Sequence, residues 1–279
     1  MVGSIRVGIG GWTYAPWRDN FFPEGLAYSK ELHYASRALS MIEVNATYYG
    51  TMTPAHFKKW HDQTPEDFLF SLKATGMVTN RRVLAGAGAS ISRFIDSGIS
   101  ALGRKLGPIV WQFMPTKQFD AEDFEAFLAL LPATLDGCKL RHVLDVRHDS
   151  FKSPRYLKLA RKYQCATVFT DAPRFPSFCD LTSDFVYCRL MQSAARLKNG
   201  YTPKAIGHWA DTAHSWARGH EPDHLPRLQA PGKTVKPHDV FVLFINGAKE
   251  RAPAAALALL ARLRKHAVAA VCPVPSSRV

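Results

Sequence analysis

Short β-prone runs recur along this chain, and each closes on a polar or charged residue. The clearest are Met41-Ile42-Glu43-Val44-Asn45, Phe68-Leu69-Phe70-Ser71-Leu72-Lys73 and Val143-Leu144-Asp145-Val146-Arg147-His148. Val168-Phe169-Thr170-Asp171 and Phe185-Val186-Tyr187-Cys188-Arg189 repeat the pattern. Between the runs lie segments with apolar residues at helical spacing, such as Leu32, Ala35 and Leu39, or Phe124, Phe127, Leu128 and Leu131. Strand–helix alternation builds a parallel α/β sheet. Periodicity alone leaves an open sheet and a closed barrel both standing. In a barrel the strand ends would converge on one mouth, where active sites sit.

The expected strands are Ile5–Ile9, Met41–Asn45, Phe68–Leu72, Ile109–Phe113, Arg141–Val146, Ala166–Thr170, Phe185–Leu190 and Val240–Phe244. Helices are expected over Ser29–Leu39, Pro54–His61, Ser90–Arg104, Ala121–Leu131, Pro154–Tyr163, Lys204–Arg218 and Ala252–Lys265. Gly107-Pro108 reads as a break before the fourth strand. The connection Asp171–Asp184 is short and holds two prolines, so the helix between strands six and seven should be missing or irregular. The length of 279 residues suits one eight-unit barrel of roughly 250 residues with an insertion and a tail. Residues 1–266 would form the single domain. The Pro- and His-rich stretch 218–238 would be an insertion on the face away from the mouth, and 267–279 a poorly ordered tail.

A net charge of +13 favours anionic partners: phosphorylated or carboxylated small molecules, or nucleic acid. No apolar run approaches the roughly 20 residues of a spanning helix, so no membrane role is expected. The five cysteines include no Cys-x-x-Cys pair and are odd in number, which points to a reducing, cytoplasmic setting.

The strand ends supply the candidate chemistry. Glu43, Asn45, Thr47 and Tyr49 alternate, as side chains on one side of an extended segment do. Glu43 is a candidate general base or metal ligand; alternatively it pairs with a barrel arginine and braces the interior. Lys73 is a candidate Schiff-base amine or phosphate binder, or the ion-pair partner of Glu43. Asp145, Arg147 and His148 suit a base, a charge clamp and a proton shuttle, or else a structural Asp–Arg pair beside a loop histidine. Asp171, Arg189, Gln112 and Asn246 extend the mouth as substrate-binding groups. Trp12, Tyr14 and Trp17 offer a stacking wall or a packed lid. Arg18, Arg81, Arg82, Lys117, Lys152, Arg174, Arg196, Lys198, Lys249 and Arg251 would make the same face a cationic funnel. A divalent metal is the less favoured cofactor, since no His-x-His or His-Glu-x-x-His spacing occurs.

Several stretches together resemble the YecE-like family, known as domain of unknown function 72. They are Gly8-Ile9-Gly10-Gly11-Trp12-Thr13-Tyr14 with Trp17-Arg18, Phe22-Pro23-Glu24-Gly25-Leu26, Glu43 to Tyr49, Leu106 to Phe113, Arg147-His148-Asp149-Ser150-Phe151 and Thr182 to Leu190. The resemblance runs from about Ile5 to Leu263 and implies a TIM-type (β/α)8 barrel; it implies no established reaction. The chain departs from that pattern in three places. Met191-Gln192 stands where such proteins usually have His-Gly, Asp145 where they have Glu, and Asn246-Gly247 where they have paired Asn. The leading expectation is an enzyme acting on an anionic sugar-like or nucleotide-like substrate. The alternatives are a nucleic-acid-binding protein, a metal-dependent phosphoesterase and a non-catalytic ligand sensor.

Overall fold

A computed structural model describes residues 2–232 and 236–271. Eight parallel strands close into a barrel in sequential order, β1 through β8. They are β1 Ile5–Gly10, β2 Met41–Val44, β3 Leu69–Lys73, β4 Leu106–Gln112, β5 His142–Asp145, β6 Ala166–Thr170, β7 Phe185–Leu190 and β8 Asp239–Phe244. Pairing of Ile5 with Val240 and of Ile9 with Phe244 joins β1 to β8 and removes both sheet edges. Seven longer helices surround the strands: α1 Glu31–Ala38, α2 Pro54–Gln63, α3 Gly88–Ile95, α4 Ala121–Ala129, α5 Pro154–Lys162, α6 Pro203–Ala217 and α7 Ala252–Val271. No helix among the described residues is long and apolar enough to cross a membrane.

Capping explains where several helices begin. Asp120 accepts from the amides of Glu122 and Asp123 at the start of α4, Ser153 from Arg155 at α5, and Thr202 from Ala205 at α6. Pro54, Pro154 and Pro203 occupy first-turn positions, where a missing N–H costs nothing.

The barrel interior is filled rather than hollow. Val110, Val143, Val168, Tyr187, Phe241 and Leu243 belong to one buried cluster inside the strands, while a larger core lies between strands and helices. As expected, no helix follows β6. The chain from 171 to 184 descends in irregular form, and residues 222–229 of the expected insertion pack against it. Asp180 accepts from the amides of Leu228 and Gln229, and Cys179 N–H donates to the Pro226 carbonyl. The stretch therefore covers part of the barrel wall that the missing helix leaves bare.

Four local expectations need correction. Gly107 and Pro108 lie inside β4 rather than before it. The register with β3 shifts between Phe70 and Leu72, and a bulge tolerates a residue without an N–H. Ser71 Oγ donates to the Pro108 carbonyl at 2.9 Å and anchors the bulge. The helix expected over Ser90–Arg104 stops at Ile95. Gly98 adopts φ +101° with Pro54 so close that a Cβ would lie 2.5 Å from its ring, and 3-10 turns follow over Ile99–Lys105. The extended segment ends at Val44 and not Asn45, since Asn45 already has helical angles and Ala46–Tyr49 is a helical turn. Finally, α7 reaches Val271 and not Lys265; residues 272–279 of the expected tail lie outside the described residues.

Candidate active site

The strand ends gather as the barrel geometry requires. Ser71 and Lys73 are two apart on β3, and Tyr187 and Arg189 two apart on β7, so each pair shares the inward face. Glu43 sits beside Ser71 in the β2–β3 register, and Gln112 beside Asp145 in β4–β5.

The floor of the mouth is an ion network centred on Arg189. Its Nη2 donates to Glu43 Oε1 at 2.7 Å, and its Nη1 to Asp145 Oδ2 and, at 3.1 Å, to Gln112 Oε1. Arg147 Nη2 donates to Gln112 Oε1 at 2.8 Å and to Asp145 Oδ2 at 3.0 Å. The second Glu43 oxygen accepts from Tyr187 OH at 2.9 Å, and Tyr187 OH lies 2.7 Å from Ser71 Oγ. Arg189, Glu43 and Asp145 are all buried. Burial opposes the charge on Arg189, but Glu43, Asp145 and Tyr187 outweigh it and hold its pKa above the ordinary value. Burial, reinforced by the Glu43 charge, keeps the Tyr187 phenol protonated far above its usual range. Both carboxylates are thus engaged by fixed donors, which weakens them as general bases. The bracing alternative for Glu43 and the Asp–Arg pair alternative for Asp145 describe what is seen. The anticipated pairing of Glu43 with Lys73 is replaced by pairing with Arg189.

Above this floor opens a cavity of about 390 Å³, lined by Asn45, Tyr49, Lys73, Gln112, Arg147, Arg189 and Asn246, together with Gly10, Trp17, Phe244, Ile245, Lys249 and Ala252. Tyr49 stands at its rim, 82% exposed. Lys73 Nζ lies 4.1 Å from the centre of the Tyr48 ring. Burial, then repulsion from Arg189, brings its pKa down to about 8, against partial support from Glu43. Lys249 Nζ lies 4.3 Å over the Tyr14 ring, and burial lowers its pKa as well. Four cationic side chains thus line one cavity, with the two carboxylates of the floor already committed.

Other expected site residues lie elsewhere. Trp12 packs edge-on against Trp60 at 5.2 Å and Phe70 at 6.4 Å, on the core between strands and helices, and does not line the cavity. Tyr14 contributes through its ring beneath Lys249. His148 caps the turn Asp149–Phe151, its Nδ1 accepting from Ser150 N–H, and it lies outside the cavity lining. The alternation expected along Glu43, Asn45, Thr47 and Tyr49 breaks at the helical turn. Thr47 Oγ1 instead donates to the Lys73 carbonyl at 2.7 Å. Asp171 is consumed structurally: Oδ1 accepts from Met191 N–H at 2.6 Å and Oδ2 from Tyr201 OH at 2.8 Å, while Gln192 donates to its carbonyl. Of the Met191-Gln192 departure, only the Gln192 side chain bears on Asp171, the Met191 bond being made by its backbone; Met191 Sδ meets Asn246 Nδ2 at 3.9 Å. Gly247, at φ +59°, has Met191 and Ser193 so near that a Cβ would fall 2.7 Å from their oxygens; a second asparagine would not fit.

Three of the ten cations expected in the funnel are neutralised. Arg18 pairs with Glu31 at 2.7 Å, Lys117 with Asp123 at 3.0 Å and Lys152 with Asp149 at 2.8 Å. Among the described residues, no three His, Cys, Asp or Glu side chains come together to hold a metal. The residues that sequence reasoning overlooked are Tyr187 and Tyr48. Tyr187 carried a readable signal, since it precedes Arg189 by two on one strand. Tyr48 carried none, because it reaches Lys73 through a turn.

These features define a TIM-type barrel protein with a cationic cavity at the C-terminal mouth. The chain belongs to the family described as protein of unknown function DUF72, whose model matches residues 6–278. It is similar to the UPF0759 protein YunF of Bacillus subtilis, 25% identical over 267 residues that cover 87% of this chain and 88% of that one. Two solved DUF72 structures share the fold. One, from Thermotoga maritima, superposes with a TM-score of 0.69 at 20% identity, covering 95% of this chain and 99% of its own. The other, from Enterococcus faecalis, has a TM-score of 0.67 at 18% identity, covering 93% and 95%.

Proposed function

We propose that the mouth cavity binds and transforms a small phosphorylated or carboxylated molecule. Arg147 and Lys249 clamp the anion, Asn45 and Gln112 orient its polar groups, and Lys73 is the reacting group. The single observation supporting this reading is the excess of cationic over anionic groups in one cavity: Lys73, Arg147, Arg189 and Lys249 line it, the two carboxylates beneath, Glu43 and Asp145, are spent on the two arginines, and the charges of the two lysines are left over. A low-dielectric pocket with that imbalance attracts an anion more strongly than an exposed patch does. Its volume suits a ligand the size of a monosaccharide phosphate. Glu43 and Asp145 then act as counterions that hold Arg189 in place.

Calorimetric titration with sugar phosphates, sugar acids and the matching neutral sugars tests the proposal. The anions should bind, more weakly as salt rises, and Lys249→Met should weaken them. Equal binding of neutral sugars would sink the reading. Tight, salt-steep binding of long oligonucleotides that ignores Lys249→Met would favour the nucleic-acid alternative instead.

A further inference from the structure

Lys73 has an unusual position for a buried lysine. It is 6% exposed, at the last position of β3, yet its Nζ has no carboxylate or hydrogen-bond acceptor among the described residues; its contact is the Tyr48 ring face. The nearest carboxylates are taken, Glu43 by Arg189 and Tyr187, and Asp145 by Arg189 and Arg147. The backbone at Lys73 is pinned: its carbonyl accepts from Thr47 Oγ1 at 2.7 Å, and Ala74 N–H donates to the Val110 carbonyl at 2.9 Å. An amine kept for structure would have acceptors. An amine kept only to attract phosphate would not need burial against an aromatic face.

We infer, resting on the anionic-ligand reading above, that the Lys73 amine condenses with a carbonyl carbon of the bound anion to form an imine. The amine lone pair adds to the carbonyl carbon, and the C=O electron pair moves to oxygen. The proton lost by nitrogen matches the one gained by oxygen, giving a carbinolamine. Its C–O bond then breaks, the oxygen leaves as water after taking a second proton, and the C=N bond forms. Overall, a lysine ammonium and a carbonyl give a protonated imine and water, with no oxidant or reductant required. Asn45 and Gln112 line the same cavity and supply amide groups for the carbinolamine hydroxyl. The depressed pKa of about 8 leaves about half of the amine neutral at pH 8, where an ordinary lysine is almost wholly protonated.

The full chain is treated at pH 8 with limiting pyridoxal phosphate, an aldehyde carrying a phosphate, then with borohydride, and the modified lysines are located by peptide mass spectrometry. Lys73 should carry at least about tenfold more adduct than Lys249 or any surface lysine, because an ordinary lysine is almost wholly protonated at that pH. Excess inorganic phosphate should protect it. Lys73→Arg should lose the site-specific adduct while keeping the thermal stabilisation by phosphate, since arginine retains the charge and does not condense. Even labelling across lysines, or preferential labelling of Lys249, overturns the imine. If phosphate stabilises the protein but Lys73 is not labelled, the imine fails and the anion site stands. If phosphate neither stabilises nor protects, the anion site itself fails.

Discussion

Two buried lysines lie at opposite ends of the β3–β4 pair, and their surroundings differ. Lys105, 2% exposed, immediately precedes β4 at the end away from the mouth. It donates to the carbonyls of His61 at 2.6 Å and Thr64 at 2.8 Å, at the C-terminus of α2. Such carbonyls lack partners within the helix and carry its negative dipole end, so a cation there is well placed. Lys73, at the mouth, has an aromatic face and two neighbouring guanidinium groups. The same residue type serves as a fastener at one end and remains chemically available at the other. What differs is where the acceptors go, and Arg189 is the cause: it draws Glu43 and Asp145 away from Lys73.

Breaking that cause should have the largest effect. Arg189→Met leaves buried Glu43 without a counterion and Asp145 with Arg147 alone, and urea unfolding should show a loss of about 3–5 kcal/mol. A loss below about 1 kcal/mol would mean that Arg189 is not what holds them. Lys105→Met strands the Thr64 carbonyl, while the His61 carbonyl keeps its bonds from Thr64, and the same measurement should give a loss of about 1–3 kcal/mol. Lys73→Met removes a poorly solvated charge that has no acceptor, so its stability should fall within about 1 kcal/mol of the parent or exceed it. A loss equal to that of Lys105→Met would erase the contrast between the two ends.

A further effect is one of pH. The folded pKa of Lys73, about 8, lies below the ordinary value of 10.5, so the unfolded chain holds the proton more tightly. Where the unfolded state binds more protons, stability rises with pH. The penalty of charged Lys73 is therefore full below about pH 8 and fades as pH rises toward 10.5. Unfolding free energies of the parent, referenced to Lys73→Met, should rise across that window. A flat difference would show that Lys73 is as well solvated as a surface lysine.

The alternation of strand and helix was legible because strand cores such as Val240–Phe244 are continuous apolar runs, as strands buried on both faces must be. The missing helix after β6 was legible from Pro173 and Pro176. Other details depended on distant neighbours. Pro108 is admitted into β4 by a bulge against β3, and Gly98 breaks a periodic helix where Pro54 crowds it. The turn at Ala46–Tyr49 looked extended because its residues, Thr47, Tyr48 and Tyr49, favour strands in isolation.

For the site, strand parity was enough to bring Glu43, Lys73, Asp145 and Arg189 toward one mouth, since inward-facing residues alternate along every barrel strand. Parity does not choose partners. Two acids and three bases of suitable reach allow several pairings, and the choice turns on ångström-scale separations across strands remote in sequence. Only the closed barrel set Arg189 between Glu43 and Asp145, turned His148 into a cap, tied Asp171 to Tyr201, and left Lys73 over Tyr48 without an acceptor among the described residues. The chain's own order dictated which groups meet at the mouth; the tertiary packing decided which of them are spent on one another and which stay available for a ligand.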